Sequence, residues 1–212
     1  MNQDSYFFNL FFIKELVYFL ILTIFFGINN KYIFYISLFL IINLIFFYRN
    51  NLKIKISKKK FISPSSSRIM KIFEGDKYYI VINHISLFDR HFMIAPVDCE
   101  ILNIINLQID HNDAERKRVI FKDKYNNLFS IDQIVNKLYS HLWIYGFLPS
   151  FIYKERCVVH KKIGDKLKQG DRYGLIRFGS MIQYNIPKCY NLKIKKKYYN
   201  LGEIIAEIKY IK

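Results

Sequence analysis

Proline and glycine are scarce, at 4 and 8 in 212 residues. That excludes collagen-like repeats and long flexible linkers. Cysteine is rarer still: Cys99, Cys157 and Cys189. None forms a Cys-x-x-Cys pair, which argues against a zinc site, and an odd number does not close a disulfide framework. They are expected as small buried thiols in a reducing compartment. Acidic residues are few, 17 against 33 Lys and Arg, so the formal charge is +16. An excess of that size implies an anionic partner: nucleic acid, a membrane surface or an acidic substrate. The heavy use of Lys, Asn, Ile, Tyr and Phe also fits an AT-rich genome, so the placement of charge matters more than its total. Hydrophobic residues at 52% exclude a disordered chain.

Charge is missing altogether from two stretches, Leu16 to Ile28 and Tyr32 to Tyr48. A bilayer-crossing helix needs about 20 residues, roughly 17–25. The second stretch has 17 positions. The first reaches that length by taking in Phe7 to Ile13, with Lys14 and Glu15 at the interface. The start Met1-Asn2-Gln3-Asp4 has no positive charge and no small-x-small site follows, so a cleaved secretory signal is not indicated. Neither stretch has a polar stripe, and aromatics crowd both ends. A helical membrane hairpin is therefore expected over residues 1–50, with Asn29 to Lys31 on the far side. Arg49, Lys53, Lys55, Lys58, Lys59 and Lys60 follow it. This basic juxtamembrane linker, 51–60, is cytoplasmic by the positive-inside rule, which suits a bacterial inner membrane. Each basic residue near anionic headgroups contributes about 1 kcal/mol. Much of the charge thus has a membrane explanation. No zinc-finger spacing or sheet-borne aromatic RNA motif occurs, so nucleic acid is not an expected partner.

Residues 61–212 have a different texture. Short apolar runs alternate with turn signals at Arg68 to Phe73, Tyr78 to Ile85, Ala95 to Leu107, Cys157 to Val159, Tyr173 to Phe178 and Ile182 to Ile186. Strands at this spacing predict a mainly β domain. Leu128, Ile131, Ile134, Val135 and Leu138 have helical spacing, so one helix is expected between Leu128 and Gly146. Gly164-Asp165 and Gly170-Asp171 precede Arg172 to Ile176, and Gly202-Glu203 precedes Ile204 to Ile208, a weak internal repeat. Gly-acid turns between strands occur in barrel-sandwich domains of the biotinyl and lipoyl kind. No Met-Lys-Met attachment motif is present, so a carrier domain is not indicated. The expected fold is mainly β: a barrel-sandwich-like β domain behind the N-terminal helical hairpin.

The segment Gly170-Asp171-Arg172-Tyr173-Gly174-Leu175-Ile176-Arg177-Phe178-Gly179-Ser180 resembles the processing site of phosphatidylserine decarboxylases. The short bacterial and archaeal-type members carry Gly-Glu-Arg-Tyr-Gly-x-Ile-Arg-Phe-Gly-Ser. Phe46-Phe47-Tyr48-Arg49-Asn50, Ser63-Pro64, Phe88-Asp89-Arg90-His91 with Ala95-Pro96, Ala114-Glu115-Arg116 and Ile186-Pro187 follow the family's motifs in order. A Gly-Ser pair alone is an ordinary turn. Held in a sharp turn, however, a serine hydroxyl can attack the preceding carbonyl, and glycine before it permits the conformation. The resemblance implies self-cleavage of a proenzyme between Gly179 and Ser180. Ser180 then becomes a covalent pyruvoyl group, and the small chain Ser180 to Lys212 stays as a partner of the large one. It implies a lyase, a pyruvoyl-dependent carboxy-lyase, that turns phosphatidylserine into phosphatidylethanolamine and carbon dioxide, with the pyruvoyl carbonyl as electron sink. It also implies His91 as the catalytic histidine near the headgroup, a proton donor or orienter.

Three positions depart from the family pattern. Its Ser-Pro-Ala-Asp-Gly is Ser63-Pro64-Ser65-Ser66-Ser67 here, so its aspartate falls on Ser66, and a hydroxyl cannot replace a carboxylate as proton acceptor near neutral pH. Its Val-Asn-Arg after the histidine is Phe92-Met93-Ile94, which lacks a guanidinium suited to carboxylate or phosphate. Its Gly-Lys-Phe-x-Asn-Ala loop has no counterpart among Gln108 to Asp113. Asp89, Asp98, Glu74 and Asp76 are the candidates to replace the carboxylate. The alternative to an active enzyme is a degenerate, non-catalytic relative acting as a membrane-bound binding or structural protein.

Overall fold

The computed structural model describes residues 17, 20–21, 23–25, 30–47, 57, 59–86, 89–107, 113–136, 156–176 and 180–208. The chain divides into two compact units, 1–51 and 52–212. The first contains helix α1 (Lys31–Phe47). Asn30 caps it: its side-chain oxygen accepts from the Tyr32 N–H at 2.9 Å, and its carbonyl accepts the first helical bond from Phe34 at 3.1 Å. The residue that interrupts the apolar sequence is thus what starts the helix. Tyr32, Tyr35 and Phe39 each expose more than 60% of their surface. Among the described residues no helix is long and apolar enough to cross a membrane. The expected two-helix hairpin is therefore not supported. Most of the first expected leg, before Lys31, lies outside the described residues.

The second unit is mainly β, as expected. Its strands are β1 (Lys60–Ile62), β2 (Ser67–Glu74), β3 (Tyr78–Ile85), β4 (Phe92–Ile94), β5 (Cys99–Asn106), β6 (Asp113–Asp123), β7 (Leu128–Asn136) and β8 (Cys157–Val159). β9 (Lys166–Leu167), β10 (Arg172–Ile176), β11 (Ser180–Pro187), β12 (Tyr190–Leu192), β13 (Tyr198–Tyr199) and β14 (Ile204–Ile208) complete the set. Eight form one sheet in the order β13-β2-β3-β11-β7-β6-β5-β9, and two three-stranded sheets are β1-β14-β12 and β4-β10-β8. The barrel-sandwich expectation is corrected here, because among the described residues no sheet closes. The large sheet ends at β13 and β9, two residues each, too short to carry the ladder round.

The helix expected from Leu128 is also corrected. Residues 128–136 form β7, paired with β6 on one side and β11 on the other. Phe129, Ile131, Gln133 and Val135 are buried with a period of two. A fully buried strand has apolar residues on both faces, and Ile134 is buried too, so its sequence mimics helical spacing. Residues 137–146 lie outside the described residues.

The inner face of the large sheet carries Val81, Ile85, Ile182, Tyr184, Ile186, Phe129, Ile131, Val119 and Phe121, all buried. Phe121 stacks on Phe129 at 4.9 Å. The small sheets pack aromatic edges against this pair: Tyr173 meets Phe121 at 5.1 Å, and Phe61 meets Phe129 at 5.4 Å and Tyr190 at 5.5 Å.

The Gly-acid repeat is one turn used three times. Gly164, Gly170 and Gly202 have φ of 89°, 91° and 85°, the left-handed region that glycine enters without strain. The acid that follows accepts from the backbone N–H three residues back: Asp165 from Lys162 at 2.8 Å, Asp171 from Lys168 at 2.8 Å, Glu203 from Asn200 at 3.0 Å. Each turn launches a strand: β9, β10 or β14.

Candidate active site

β3 and β11 run antiparallel, and their register opposes Ser180 to Ile85 and Met181 to His84. Ser180 is therefore the first residue of a central strand. Gly179 lies outside the described residues, and of Ser180 the backbone alone is described. The chain enters this point from β10, whose last residue, Ile176, donates its N–H to the His91 carbonyl at 2.9 Å. Only positions 177–179 separate Ile176 from Ser180, and four Cα steps span at most about 14 Å. His91 is thus tied through its carbonyl to the last described residue before the 179/180 bond.

His91 is 3% exposed. Its Nδ1 lies 2.7 Å from the Asp89 carbonyl. A carbonyl only accepts, so Nδ1 carries the proton and Nε2 is left in the acceptor form. Burial pushes the imidazole pKa down to about 4, against the smaller upward pull of its hydrogen bond and the Asp89 charge. At neutral pH this is an uncharged ring able to take a proton through Nε2.

Asp89 is 8% exposed. Its carboxylate accepts from the Ser86 N–H at 2.8 Å and from the Tyr198 hydroxyl at 2.6 Å. Ser86 directly follows Ile85, the register partner of Ser180. Tyr198 sits on β13 opposite Arg68, Arg68 opposite His84, and His84 opposite Met181. Asp89 and Ser180 are thus at the same end of the sheet. The signal in the sequence was the Phe-Asp-Arg-His phrase. Nothing in the sequence pointed to Tyr198, because a tyrosine in a lysine run has no motif.

Ser66 is buried, and its hydroxyl oxygen accepts from the Leu201 N–H at 3.1 Å. It holds the 200–203 turn rather than standing as a proton acceptor. Its neighbours form a buried hydroxyl chain: Ser63 donates to the Ser65 carbonyl at 2.7 Å, Ser65 to Ser67 at 3.0 Å, and Tyr184 meets Ser65. The other candidate carboxylates are elsewhere. Asp98 accepts from the Gln169 N–H at 2.9 Å, and Glu74 pairs with Lys188 at 2.9 Å. Asp76 lies in the turn between β2 and β3.

Two further residues escaped the sequence. Gln133, opposite Ile182 in β11, is fully buried, with neither carboxamide atom hydrogen-bonded. Gly174 makes room for it, since a Cβ there would lie 2.8 Å from the Gln133 Nε2 and 2.5 Å from the Val158 carbonyl oxygen. Cys99 and Cys157 are buried, none of the three cysteines is in a disulfide, and burial raises the Cys99 thiol. Among the described residues no group of three His, Cys, Asp or Glu could hold a metal ion.

Comparison with known proteins bears on this geometry. A phosphatidylserine decarboxylase proenzyme of Geotalea uraniireducens is 25% identical over 172 residues, 74% of this chain and 76% of the relative. One of Mycobacteroides abscessus is 29% identical over 126 residues, 58% of this chain and 51% of the relative, and one of Burkholderia multivorans is 26% identical over 132, 58% and 56%. The chain thus spans about half the length of these last two. No solved structure matches significantly. The sequence profile described as phosphatidylserine decarboxylase matches residues 42–209, a stretch that takes in β1 to β14, His91 and the 179/180 junction, and the chain therefore belongs to the phosphatidylserine decarboxylase family.

Proposed function

We propose that this chain is a phosphatidylserine decarboxylase that activates itself by cleaving the Gly179–Ser180 bond. The observation that carries the reading is the position of Ser180 as the first residue of β11, with His91 one hydrogen bond from the strand that leads to it. The relatives are named as proenzymes, which supports the same step. A break before Ser180 cuts none of the ladder pairs of β11 with β3 or β7. The residues therefore fit a pyruvoyl group at position 180. That group would supply a carbonyl that accepts electrons as carbon dioxide leaves. The chain's own residues do the rest. His91, neutral and buried, can take or return a proton through Nε2, and its burial keeps bulk water from competing.

The substrate reading takes phosphatidylserine from the bilayer and returns phosphatidylethanolamine. The exposed apolar surface of α1 and the basic run 51–60 support a membrane-anchored protein with residues 61–212 on the cytoplasmic side of a bacterial inner membrane. The intact mass of the purified chain tests the reading. Cleavage gives a small chain of 33 residues, 180–212, with a pyruvoyl start that resists Edman degradation. Vesicles containing phosphatidylserine should release carbon dioxide with the wild type and not with Ser180→Ala. A wild-type chain that stays whole at 25.7 kDa rejects the enzyme and leaves a non-catalytic relative.

A further inference from the structure

Self-cleavage needs a group that takes the Ser180 hydroxyl proton, and the serine at position 66 cannot supply one. Its oxygen already accepts from Leu201. Glu115, also at this end of the sheet, gives both oxygens to the Arg156 and Cys157 N–H groups, and the fold separates the four carboxylates that the sequence offered. Glu74 is opposite Tyr79, and Asp76 lies just beyond. Tyr79 is six residues along β3 from Ile85, about 20 Å at the usual strand rise. Asp98 is committed to the 168–171 turn through Gln169. Asp89 alone of the four is at the Ile85 end, its carboxylate on the N–H of Ser86, the residue that follows the register partner of Ser180.

We infer that Asp89 is the carboxylate that activates Ser180. The inference rests on the self-cleavage proposed above and assigns its base. Asp89 is suited to the task on three counts. It is shielded from bulk solvent at 8% exposure. Its two hydrogen bonds, from Ser86 and Tyr198, fix both oxygens and leave acceptor sites open out of about four. Its carbonyl also holds His91, so one short segment orients both groups.

The steps balance without an added oxidant or reductant. Asp89 takes the hydroxyl proton as the Ser180 oxygen bonds to the Gly179 carbonyl carbon. The peptide C–N bond breaks, the nitrogen takes a proton, and an ester remains. Loss of the Ser180 Cα proton then breaks the Cβ–O bond, releasing Gly179 as a carboxylate and leaving dehydroalanine at 180. Its imine tautomer adds water and loses ammonia, which gives the pyruvoyl group.

The test follows cleavage of the full chain during cell-free synthesis onto anionic vesicles, read by intact mass. Asp89→Asn is expected to slow cleavage about 100-fold or more. Ser66→Asp in that background should restore it, and formate should speed Asp89→Ala where chloride does not. A merely structural role of Asp89 predicts neither rescue. Folding is checked by comparing Ser180→Ala with and without Asp89→Asn, both uncut, by thermal melting. If Asp89→Asn fails to fold, Tyr198→Phe takes its place. It releases one carboxylate oxygen at the edge strand, and cleavage should slow about tenfold, the worth of a hydrogen bond to a charged group. A wild type that never cleaves overturns the functional reading together with this one. A cleaving wild type beside a folded Asp89→Asn, or a Tyr198→Phe, that cleaves at the wild-type rate overturns the Asp89 assignment alone.

Discussion

Tyr184 and Ser65 are 119 positions apart in the chain and meet hydroxyl to hydroxyl at 2.5 Å, both fully buried. Ser65 spends its own proton on Ser67, so the Tyr184 hydroxyl is the donor. If the chain is cut before Ser180, this becomes a bond between two polypeptides. It is one of several: Tyr190 donates to Asp123 at 2.8 Å and Tyr198 to Asp89 at 2.6 Å. β11 itself lies between β3 and β7.

The two products are therefore expected to stay together. Native size exclusion should give one peak containing both chains, and only denaturant should part them. Dissociation on dilution under native conditions would contradict the β11 pairing. Tyr184→Phe leaves the Ser65 oxygen without its donor and should cost about 1–3 kcal/mol in a urea melt of the uncut Ser180→Ala protein.

His91 sets a pH dependence. Its folded pKa, about 4, lies below the ordinary 6.5. The unfolded chain therefore binds a proton that the folded chain resists. Stability is full above pH 6.5 and falls as pH drops from there to about 4, at up to about 1.4 kcal/mol per unit. His91→Asn keeps a donor for the Asp89 carbonyl and removes the titration. Its stability should be flatter between pH 6.5 and 4 than that of the parent, measured by chemical denaturation in the Ser180→Ala background. Parallel curves would contradict the assignment.

Gly174 and Gln133 make a packing prediction. A methyl at 174 meets a backbone oxygen at 2.5 Å, which cannot swing aside. Gly174→Ala should cost about 1–3 kcal/mol. Gln133→Leu replaces an unpartnered buried carboxamide by a side chain of similar size, and should hold or raise the urea midpoint. A clear loss of stability on Gln133→Leu would mean the carboxamide has a partner in solution.

The sequence was most legible where one physical signal acted alone. β3, β8 and β14 occupy the runs expected of them, because turn residues bracket each. The Gly-acid turns were visible because φ near 90° favours glycine and the following acid has a fixed acceptor role. β7 was misjudged because burial on both faces erases alternation. Closure of a barrel depends on long-range pairing of the terminal strands, which no local pattern encodes. At the site, His91 and Ser180 came from motif resemblance. The choice of Asp89 over Asp98, Glu74 and Asp76 did not, because it depends on which end of β3 each one occupies.

The sheet that positions Ser180 has one further ionic feature. Asp132 on β7 is fully buried and takes three hydrogen bonds, from Arg116 at 2.8 Å and from Arg118 at 2.6 and 2.8 Å. In return Asp132 raises the Arg118 guanidinium pKa through its hydrogen bond, against the opposing effect of burial. Arg116 and Arg118 lie on β6, so the carboxylate ties β7 to β6, and Arg116 reaches on to the Gln183 Oε1 of β11 at 3.4 Å. Removing a buried partner leaves its counter-charges uncompensated. Asp132→Ala should therefore cost about 3–5 kcal/mol. Asp132→Asn keeps the size and an acceptor oxygen and should cost less. Combining Arg116→Met, Arg118→Leu and Asp132→Leu replaces the whole set with apolar side chains. That triple change should recover much of the loss, because no unpaired charge remains. The comparison is made by urea melts at fixed salt in the Ser180→Ala protein. If Asp132→Ala melts with the parent, Arg116 and Arg118 are solvated well enough to stand without it, and the carboxylate does not hold the strands together.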